Sequence, residues 1–154
     1  MDETASTLVG NATLKAVEIA TQVDLPVFSD DSGVFIDALD GFPGVHSARW
    51  TGTHRDYATQ NDKILDLMKN QTNRKAEYKT VVAFAHNNKI NLFEGVMPLK
   101  VAHSESNTPG FSYDTIMKFN DTFVSEMNPV DKNKVSSRAD AITKFKAFIE
   151  HYQL

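Results

Sequence analysis

Two adjacent carboxylates, Asp30 and Asp31, are the residues of this sequence best suited to chemistry. They follow a short apolar run, Leu25 to Phe28, and are followed by Ser32-Gly33. A second apolar run, Val34 to Leu39, completes a pattern typical of a strand, an acidic turn and another strand. Carboxylates at a strand end are suited to hold Mg²⁺, a hard cation that takes oxygen ligands. Acidic turns are also common on protein surfaces, so these residues alone leave both interpretations open.

A second candidate site lies at Phe111-Ser112-Tyr113-Asp114, where two aromatic residues flank a serine and a carboxylate follows. The two rings could sandwich a purine while Asp114 accepts a hydrogen bond from a ring N–H. The alternation of Phe111 and Tyr113 also suits a strand in which one ring packs in the core.

Two cations, Lys132 and Arg138, lie near the predicted start of the last helix, a suitable place to receive phosphate. Ser137 with Asp140 three residues later approximates a capping box. This structural interpretation accounts for Ser137 without any ligand.

Taken together, these stretches resemble the Ham1 family of inosine and xanthosine triphosphate pyrophosphatases, which clear non-standard purine nucleotides. The resemblance covers nearly the whole chain, in the family's order. It is carried by Asp2-Glu3-Thr4, Asn11-Ala12, Lys15-Ala16, Asp30 to Gly33, Gly41 to Gly52, Gly110 to Asp114, Lys132 and Ser136-Ser137-Arg138.

The resemblance implies a Mg²⁺-dependent hydrolase that converts ITP, dITP or XTP to the monophosphate and pyrophosphate. Asp31 would be the general base and a metal ligand, and Asp30 would be a second metal ligand. The resemblance also implies a set of substrate-binding residues: Lys15, Ser32, Gly33, Phe111, Ser112, Tyr113, Asp114, Lys132, Ser137 and Arg138.

Several positions depart from the family pattern. Gly10 stands where the resemblance implies a metal-binding glutamate, which predicts weak Mg²⁺ affinity. Ser137 stands for a histidine that helps to exclude the standard bases, which predicts poorer discrimination between ITP and GTP. Ser112 replaces a glycine and Thr115 a proline. These departures leave open an alternative: a catalytically impaired relative that serves as a nucleotide-binding or interaction module.

Composition bounds the remaining possibilities. The 154 residues predict a single domain spanning 1–154, and a net charge of −4 argues against a nucleic-acid groove. No window approaches the roughly 20 apolar residues of a membrane span. The chain has no cysteine, which excludes disulfides and thiolate metal sites. We therefore expect a cytoplasmic protein that binds neither nucleic acid nor membrane.

The order of elements predicts an α/β domain with a mixed central sheet and flanking helices. Apolar spacing predicts helices over 7–21, 56–69 and 137–152. Strands are predicted over 78–85 and 89–96, joined by a tight turn at Asn87-Asn88. Residues 98–109 are polar and are expected to be irregular.

The family's first strand and its T-x-x-N-x-x-K phosphate loop have no counterpart before Asp2, so we expect the fold to lack them. Either the gene is truncated or this sequence is a fragment. Without that strand, Val27 to Asp30 should have an unpaired edge, which tends to recruit another strand. We therefore expect a homodimer or a higher oligomer.

Overall fold

A computed structural model of the chain describes residues 3–52 and 55–153. These residues form four α-helices and six strands, which confirms the predicted α/β class. The helices are α1 (Leu8–Val23), α2 (Tyr57–Met68), α3 (Pro129–Val135) and α4 (Ser137–Ile149); the strands are β1 (Val27–Ile36), β2 (Pro43–Gly44), β3 (Lys75–His86), β4 (Lys89–Val101), β5 (Met117–Phe119) and β6 (Thr122–Phe123).

The strands form one sheet in the order β2-β1-β3-β4-β5-β6. Its pairing is antiparallel between β1 and β2, where Val34 lies opposite Gly44, and also between β4 and β5 and between β5 and β6. No helix among the described residues is both long and apolar enough to span a membrane. Asp2 and His54 lie outside the described residues.

The chain divides into two compact units. The first contains the described residues of Met1–Ser32, Lys79–Val96 and Ser136–Leu154, and the second contains those of Gly33–Tyr78 and Met97–Val135. The single domain predicted for 1–154 stays a prediction.

The acidic stretch is not a turn, contrary to the prediction, because β1 runs without interruption from Val27 to Ile36. Successive side chains of a strand point to opposite faces. The Ser29 hydroxyl donates to the Ala12 carbonyl of α1, while the ring of Phe28 lies 5.1 Å from that of Phe145 on α4. Each face of the first part of β1 therefore contacts a helix of the first unit, α1 on one side and α4 on the other.

The first unit contains a capped helix α1 and an aromatic cluster that joins α4 to the sheet. Thr7 caps α1 by accepting a hydrogen bond from the Gly10 N–H at 3.0 Å. Side chains of β3, β4, α4 and the residues after α4 form the aromatic cluster, with ring centroids 5.1 to 6.0 Å apart: Phe84, Phe93, Phe145, Phe148 and Tyr152. The tight turn between β3 and β4 is confirmed, since Asn87 and Asn88 both have positive φ.

The second unit has a single apolar core around α2, β5 and parts of the longer strands. Its largest buried members are Tyr113, Ile36, Ile64, Met68, Met97, Ile116 and Met117. Asp56 caps α2, close to the predicted start of that helix. Arg74 links the end of α2 to the end of β4, because its guanidinium donates to backbone carbonyls of Met68, Gln71, Val101 and Ala102.

Two segments differ from the prediction. β4 continues through Pro98 to Val101, so the irregular stretch starts later than expected. α3 was not predicted, because its seven residues, PVDKNKV, contribute no buried side chain and show no helical apolar spacing.

Gly95 sets the distance between α4 and β4, which yields a test of the first unit. A methyl group at position 95 would overlap the carbonyl oxygen of Ser137 and the backbone nitrogen of Ala141. Both obstacles are backbone atoms, so α4 itself would have to move. We expect Gly95→Ala to lower the free energy of unfolding by roughly 3 kcal/mol or more, beyond the usual range for overpacking. Urea denaturation would measure the change.

Gly52→Ala is the matched control. Gly52 has a φ of 89° but open space around its Cα, so alanine there meets only the backbone cost, on the order of 1–2 kcal/mol. A Gly95→Ala variant no less stable than the Gly52→Ala variant would contradict the close packing of α4.

Candidate active site

Lys15 is the centre of the polar cluster of the first unit. Its ammonium donates to the Glu3 carboxylate at 2.9 Å, to the backbone carbonyl of Asp30 at 2.6 Å and to the Asp31 carboxylate at 3.3 Å. The Asn11 side-chain amide donates to the other oxygen of Asp31 at 3.3 Å. We call these residues, Glu3, Asn11, Lys15 and Asp31, the Lys15 cluster.

Helix α1 positions this cluster. Asn11 and Lys15 are one turn apart, so their side chains project from the same face of the helix. The buried Asn11 also accepts a hydrogen bond from the Ala5 N–H at 3.0 Å, which fixes the segment that carries Glu3. Glu3 had no predicted role, although it belongs to the motif Asp2-Glu3-Thr4. No spacing rule links residue 3 to residue 31, and only the folded segment brings them together.

Electrostatics distinguish Asp31 from an ordinary surface carboxylate. Burial raises the pKa of Asp31, and the charge of Glu3 raises it further, while Lys15 and Asn11 act in the opposite direction. Burial lowers the pKa of Lys15, but hydrogen bonds and charge from Glu3 and Asp31 outweigh that effect and raise it overall. Lys15 therefore stays charged, and it is shared between two carboxylates without fully compensating either.

The Lys15 cluster suits a divalent cation. Mg²⁺ is commonly bound by one or two carboxylates together with water and substrate phosphates. Glu3 and Asp31 are two carboxylates that already share one positive charge. Among residues 3–52 and 55–153, no three acidic or histidine side chains come together as a complete metal cage. The pair therefore fits a cation that the substrate helps to bind.

The predicted pairing of Asp30 with Asp31 in one metal site is not the arrangement that the structure shows. Asp30 lies on the other face of β1, where Arg138 donates two hydrogen bonds to one of its carboxylate oxygens, at 2.8 and 3.1 Å. Only the backbone carbonyl of Asp30 reaches Lys15. Position 10 is also unsuited to a ligand, because a Cβ there would lie 2.5 Å from the Cβ of Ala5.

Three hydroxyl groups form a chain on the same face of β1 as Asp30. The Ser32 and Thr80 oxygens are 2.8 Å apart, and those of Thr80 and Ser137 are 2.9 Å apart.

The capping box predicted for Ser137 and Asp140 is wrong. Ser136 is the N-cap of α4, and Asp140 accepts from the Val96 N–H instead of closing a box.

A second polar cluster, the Asp114 cluster, lies in the second unit. The buried Asp114 accepts a hydrogen bond from the Tyr78 hydroxyl at 3.0 Å, and its other oxygen pairs with the ammonium of Lys132. Burial, and then the charge of Asp114, raise the pKa of Tyr78, so its hydroxyl stays protonated and donates. Both carboxylate oxygens of Asp114 are thus engaged, which favours holding Lys132 over reading a ring N–H.

The two aromatic residues beside this cluster differ in exposure. Phe111 is 68% exposed and lies edge-on to Tyr57, with ring centroids 5.7 Å apart. Tyr113 is 1% exposed, and its hydroxyl takes part in hydrogen bonds with Trp50, Gln60 and the carbonyl of Ser47. Phe111 can stack on a base. The side chain of Tyr113 belongs to the core, and its role in binding substrate stays a prediction.

The loop that carries Phe111 is anchored by residues that depart from the family pattern. Ser112 has a φ of 58°, in the left-handed region that favours glycine. Asn61 of α2 donates to the Ser112 carbonyl at 3.2 Å and to the Thr115 hydroxyl at 3.0 Å, and Thr115 in turn donates to Glu105 at 2.7 Å.

Gly33 is buried, and a Cβ there would overlap the carbonyl oxygen of Gly44. This glycine therefore permits the close approach of β2 to β1, and its role in binding substrate stays a prediction.

The fold and the two clusters define an α/β protein with a carboxylate-and-lysine centre. The chain belongs to the Ham1 family, since a profile of that family matches residues 1–148. It is 36% identical to a dITP/XTP pyrophosphatase of Thermoanaerobacter pseudethanolicus, covering 97% of this chain and 77% of the relative. A dITP/XTP pyrophosphatase of Methanosarcina mazei is 39% identical over 82% of this chain and 67% of the relative.

Solved structures agree with this assignment. The structure of the Staphylococcus aureus Ham1 protein has a TM-score of 0.92 at 31% identity, covering 97% of this chain and 79% of the other. A HAM1 protein from Coxiella burnetii has a TM-score of 0.93 at 31% identity, covering 99% and 81% of the two chains. The resemblance drawn from the sequence motifs is therefore confirmed.

The raised pKa of Asp31 predicts that its ionised carboxylate lowers the free energy of unfolding at neutral pH. The folded state holds the Asp31 proton more tightly than the unfolded chain, whose pKa is 3.8. Wild-type stability should therefore fall as the pH rises from that value through the raised pKa. Asparagine cannot titrate, so the free energy of unfolding of Asp31→Asn, relative to wild type, should rise over this window and stay raised at pH 7.5. Urea denaturation of metal-free protein at pH 4.0, 5.5 and 7.5 would measure it.

Asp37→Asn, at an exposed position, controls for the general effect of removing one negative charge. If the Asp31→Asn variant were less stable than wild type at pH 7.5, Asp31 would be a structural ion-pair partner of Lys15.

Proposed function

We propose that this protein is a nucleoside triphosphate pyrophosphatase for non-standard purine nucleotides, which hydrolyses ITP, dITP or XTP to the monophosphate and pyrophosphate. The observation that carries the proposal is Asp31, a half-buried carboxylate with a raised pKa that is held between Lys15 and Asn11. A general base works best with a pKa closer to neutral than that of a free carboxylate. The names of the relatives support the substrate class.

In this proposal Asp31 accepts a proton from the water that attacks the triphosphate. Asn11 and Lys15 fix the two oxygens of the Asp31 carboxylate, so its lone pairs face the water in one orientation. Lys15 also offsets negative charge that develops on the phosphate oxygens. Ser32, exposed at the surface of the first unit, offers a hydroxyl donor to the same phosphates.

The proposed cofactor is Mg²⁺, which would be held by Glu3 and Asp31 and would neutralise charge on the phosphates. Glu3 thus takes the place that the sequence analysis assigned to Asp30. The Asp30 carboxylate instead orients Arg138, whose exposed guanidinium we propose as a further contact to the nucleotide.

Base recognition is proposed for the residues of the second unit. Phe111 offers an exposed ring for stacking, and Asp114 with Tyr78 holds Lys132 as a hydrogen-bond donor. Ser112 positions the loop that carries Phe111, so the backbone of Ser112 lies next to that residue. Ser137 is buried and bonded to Thr80, so its side chain contributes nothing to base selection. Weak discrimination between ITP and GTP stays a prediction.

The proposal is tested by product and by metal. Wild type with ITP should release pyrophosphate and not orthophosphate, and Asp31→Asn should abolish turnover while the protein stays folded. Glu3→Gln should raise the Mg²⁺ concentration needed for half-maximal rate by about tenfold or more, because one charged ligand is lost. Glu18→Gln, on the exposed face of α1, is the control and should leave the Mg²⁺ requirement unchanged.

Full activity in Asp31→Asn would remove Asp31 from the role of base. An equal Mg²⁺ requirement in wild type and Glu3→Gln would remove Glu3 from the metal site. Nucleotide binding without pyrophosphate release would favour the alternative, a catalytically impaired nucleotide-binding relative.

We also propose that the chain forms a homodimer through the edge of β1. Among the described strands, β2 pairs with β1 only at Val34 and Phe35, and it is two residues long. The part of β1 before those residues therefore has an open edge on that side, and Leu25 beside it is 62% exposed. Open edges with apolar neighbours recruit further strands.

A cytoplasmic location stays a prediction.

Light scattering at micromolar concentration would test the assembly. Leu25→Lys should shift the protein towards monomer, whereas Leu67→Lys, on the exposed side of α2, should not. Wild type that is a monodisperse monomer would contradict the dimer.

A further inference from the structure

The chain of hydroxyl groups through Ser32, Thr80 and Ser137 runs from the surface into the first unit. Ser32 is exposed, whereas Thr80 and Ser137 are 1% and 7% exposed. The two oxygen–oxygen distances, 2.8 and 2.9 Å, are those of good O–H···O hydrogen bonds. A ligand therefore reaches the chain only at Ser32, and Ser137 is its shielded inner end.

The three groups are held by different elements, so their spacing does not depend on side-chain freedom alone. Ser32 lies on β1 and Thr80 on β3, while Ser137 is the first residue of α4. The start of α4 packs closely on β4 because Gly95 has no side chain. A hydrogen bond from the Val96 N–H to the Asp140 carboxylate, at 3.1 Å, holds the helix there. The inner end of the chain is consequently preorganised.

Each hydroxyl has one proton, so there are two orders in which Thr80 donates its proton within the chain. If Ser32 donates to Thr80 and Thr80 to Ser137, the Ser32 proton is used inside the protein, and only lone pairs face outwards. If Ser137 donates to Thr80 and Thr80 to Ser32, the Ser32 oxygen accepts and its proton points outwards. An anion at Ser32 favours the second order, in which each hydrogen bond polarises the next.

We propose that Thr80 is a positioning residue, which with Ser137 orders this chain so that Ser32 donates to a phosphate oxygen of the substrate. The proposal rests on the proposed function, in which Ser32 contacts the triphosphate. The proposal gives Ser137 a role other than contact with the base, since its hydroxyl group strengthens Ser32 as a donor through Thr80. Thr80 touches no substrate in this scheme and acts only through Ser32.

Two substitutions at position 80 separate the hydroxyl from the shape of the side chain. Valine has nearly the size of threonine and suits a buried strand position, but it breaks the chain. Serine keeps the hydroxyl and loses only a methyl group. With Mg²⁺ present, we expect Thr80→Val to weaken binding of inorganic tripolyphosphate about five- to tenfold by calorimetry, as for a weakened hydrogen bond to a charged group. Thr80→Ser should bind as wild type does, and Ser137→Ala should lie between the two.

A double-mutant cycle excludes a merely structural role. In a Ser32→Ala background, Thr80→Val should cause no further loss of tripolyphosphate affinity, because its effect passes through Ser32. An equal further loss in that background would overturn the proposal, as would unchanged affinity in Thr80→Val or a loss in Thr80→Ser as large as in Thr80→Val.

The binding assay needs no turnover, so the two proposals can fail separately. Wild type that binds tripolyphosphate but releases no pyrophosphate from ITP would overturn the proposed function and leave the hydroxyl chain intact. Wild type that hydrolyses ITP, with kcat/KM unchanged by Thr80→Val, would overturn the hydroxyl chain alone. Wild type that does not bind tripolyphosphate would overturn Ser32 as a phosphate donor.

Discussion

The ammonium group of Lys15 is the interaction on which the candidate site depends. It joins Glu3, the Asp30 carbonyl and the Asp31 carboxylate, which come from two separate stretches of the chain. Two like charges 4 Å apart near a protein surface repel by roughly 4 kcal/mol, so carboxylates held together need a shared cation. Lys15 supplies one without neutralising both, and the remaining negative charge is what a divalent cation would use. The pKa of Asp31 is raised chiefly by burial, and the charge of Glu3 adds to this effect, whereas the charge of Lys15 opposes it.

The alternation of β1 decides how the rest of the site is divided. Ser29 and Asp31 face α1, while Phe28, Asp30 and Ser32 face the side of α4 and Thr80. Neighbouring residues of one motif thus serve two separate tasks: Asp31 belongs to the carboxylate centre, and Asp30 and Ser32 belong to the cationic and hydroxyl groups. A slip of one residue would exchange the two sets, so the register of this strand is as important as its residue types.

The sequence predicted the α/β class, the helix α2 and the tight turn at Asn87-Asn88, because each depends on local spacing or local turn chemistry. The resemblance predicted the family. The sequence could not predict the continuous β1, since this strand depends on its place in the sheet and on contacts with α4, which is distant in sequence. Glu3 and Thr80 were missed for a related reason: their partners are distant in sequence, and neither residue type signals a site by itself.

The departures from the family pattern have local partners in the folded chain, and this bears on whether the site is maintained. Position 10 is packed against Ala5, Ser137 bonds to Thr80, and Thr115 bonds to Asn61 and Glu105. Replacements that had accumulated without constraint would be expected to leave buried polar groups unpaired, which is costly. Here the hydroxyl groups of Ser137 and Thr115, which replace a histidine and a proline, are hydrogen-bonded. Gly10 leaves room for the segment that brings Glu3 to Lys15. The departures are therefore compatible with a site whose geometry is retained by different side chains.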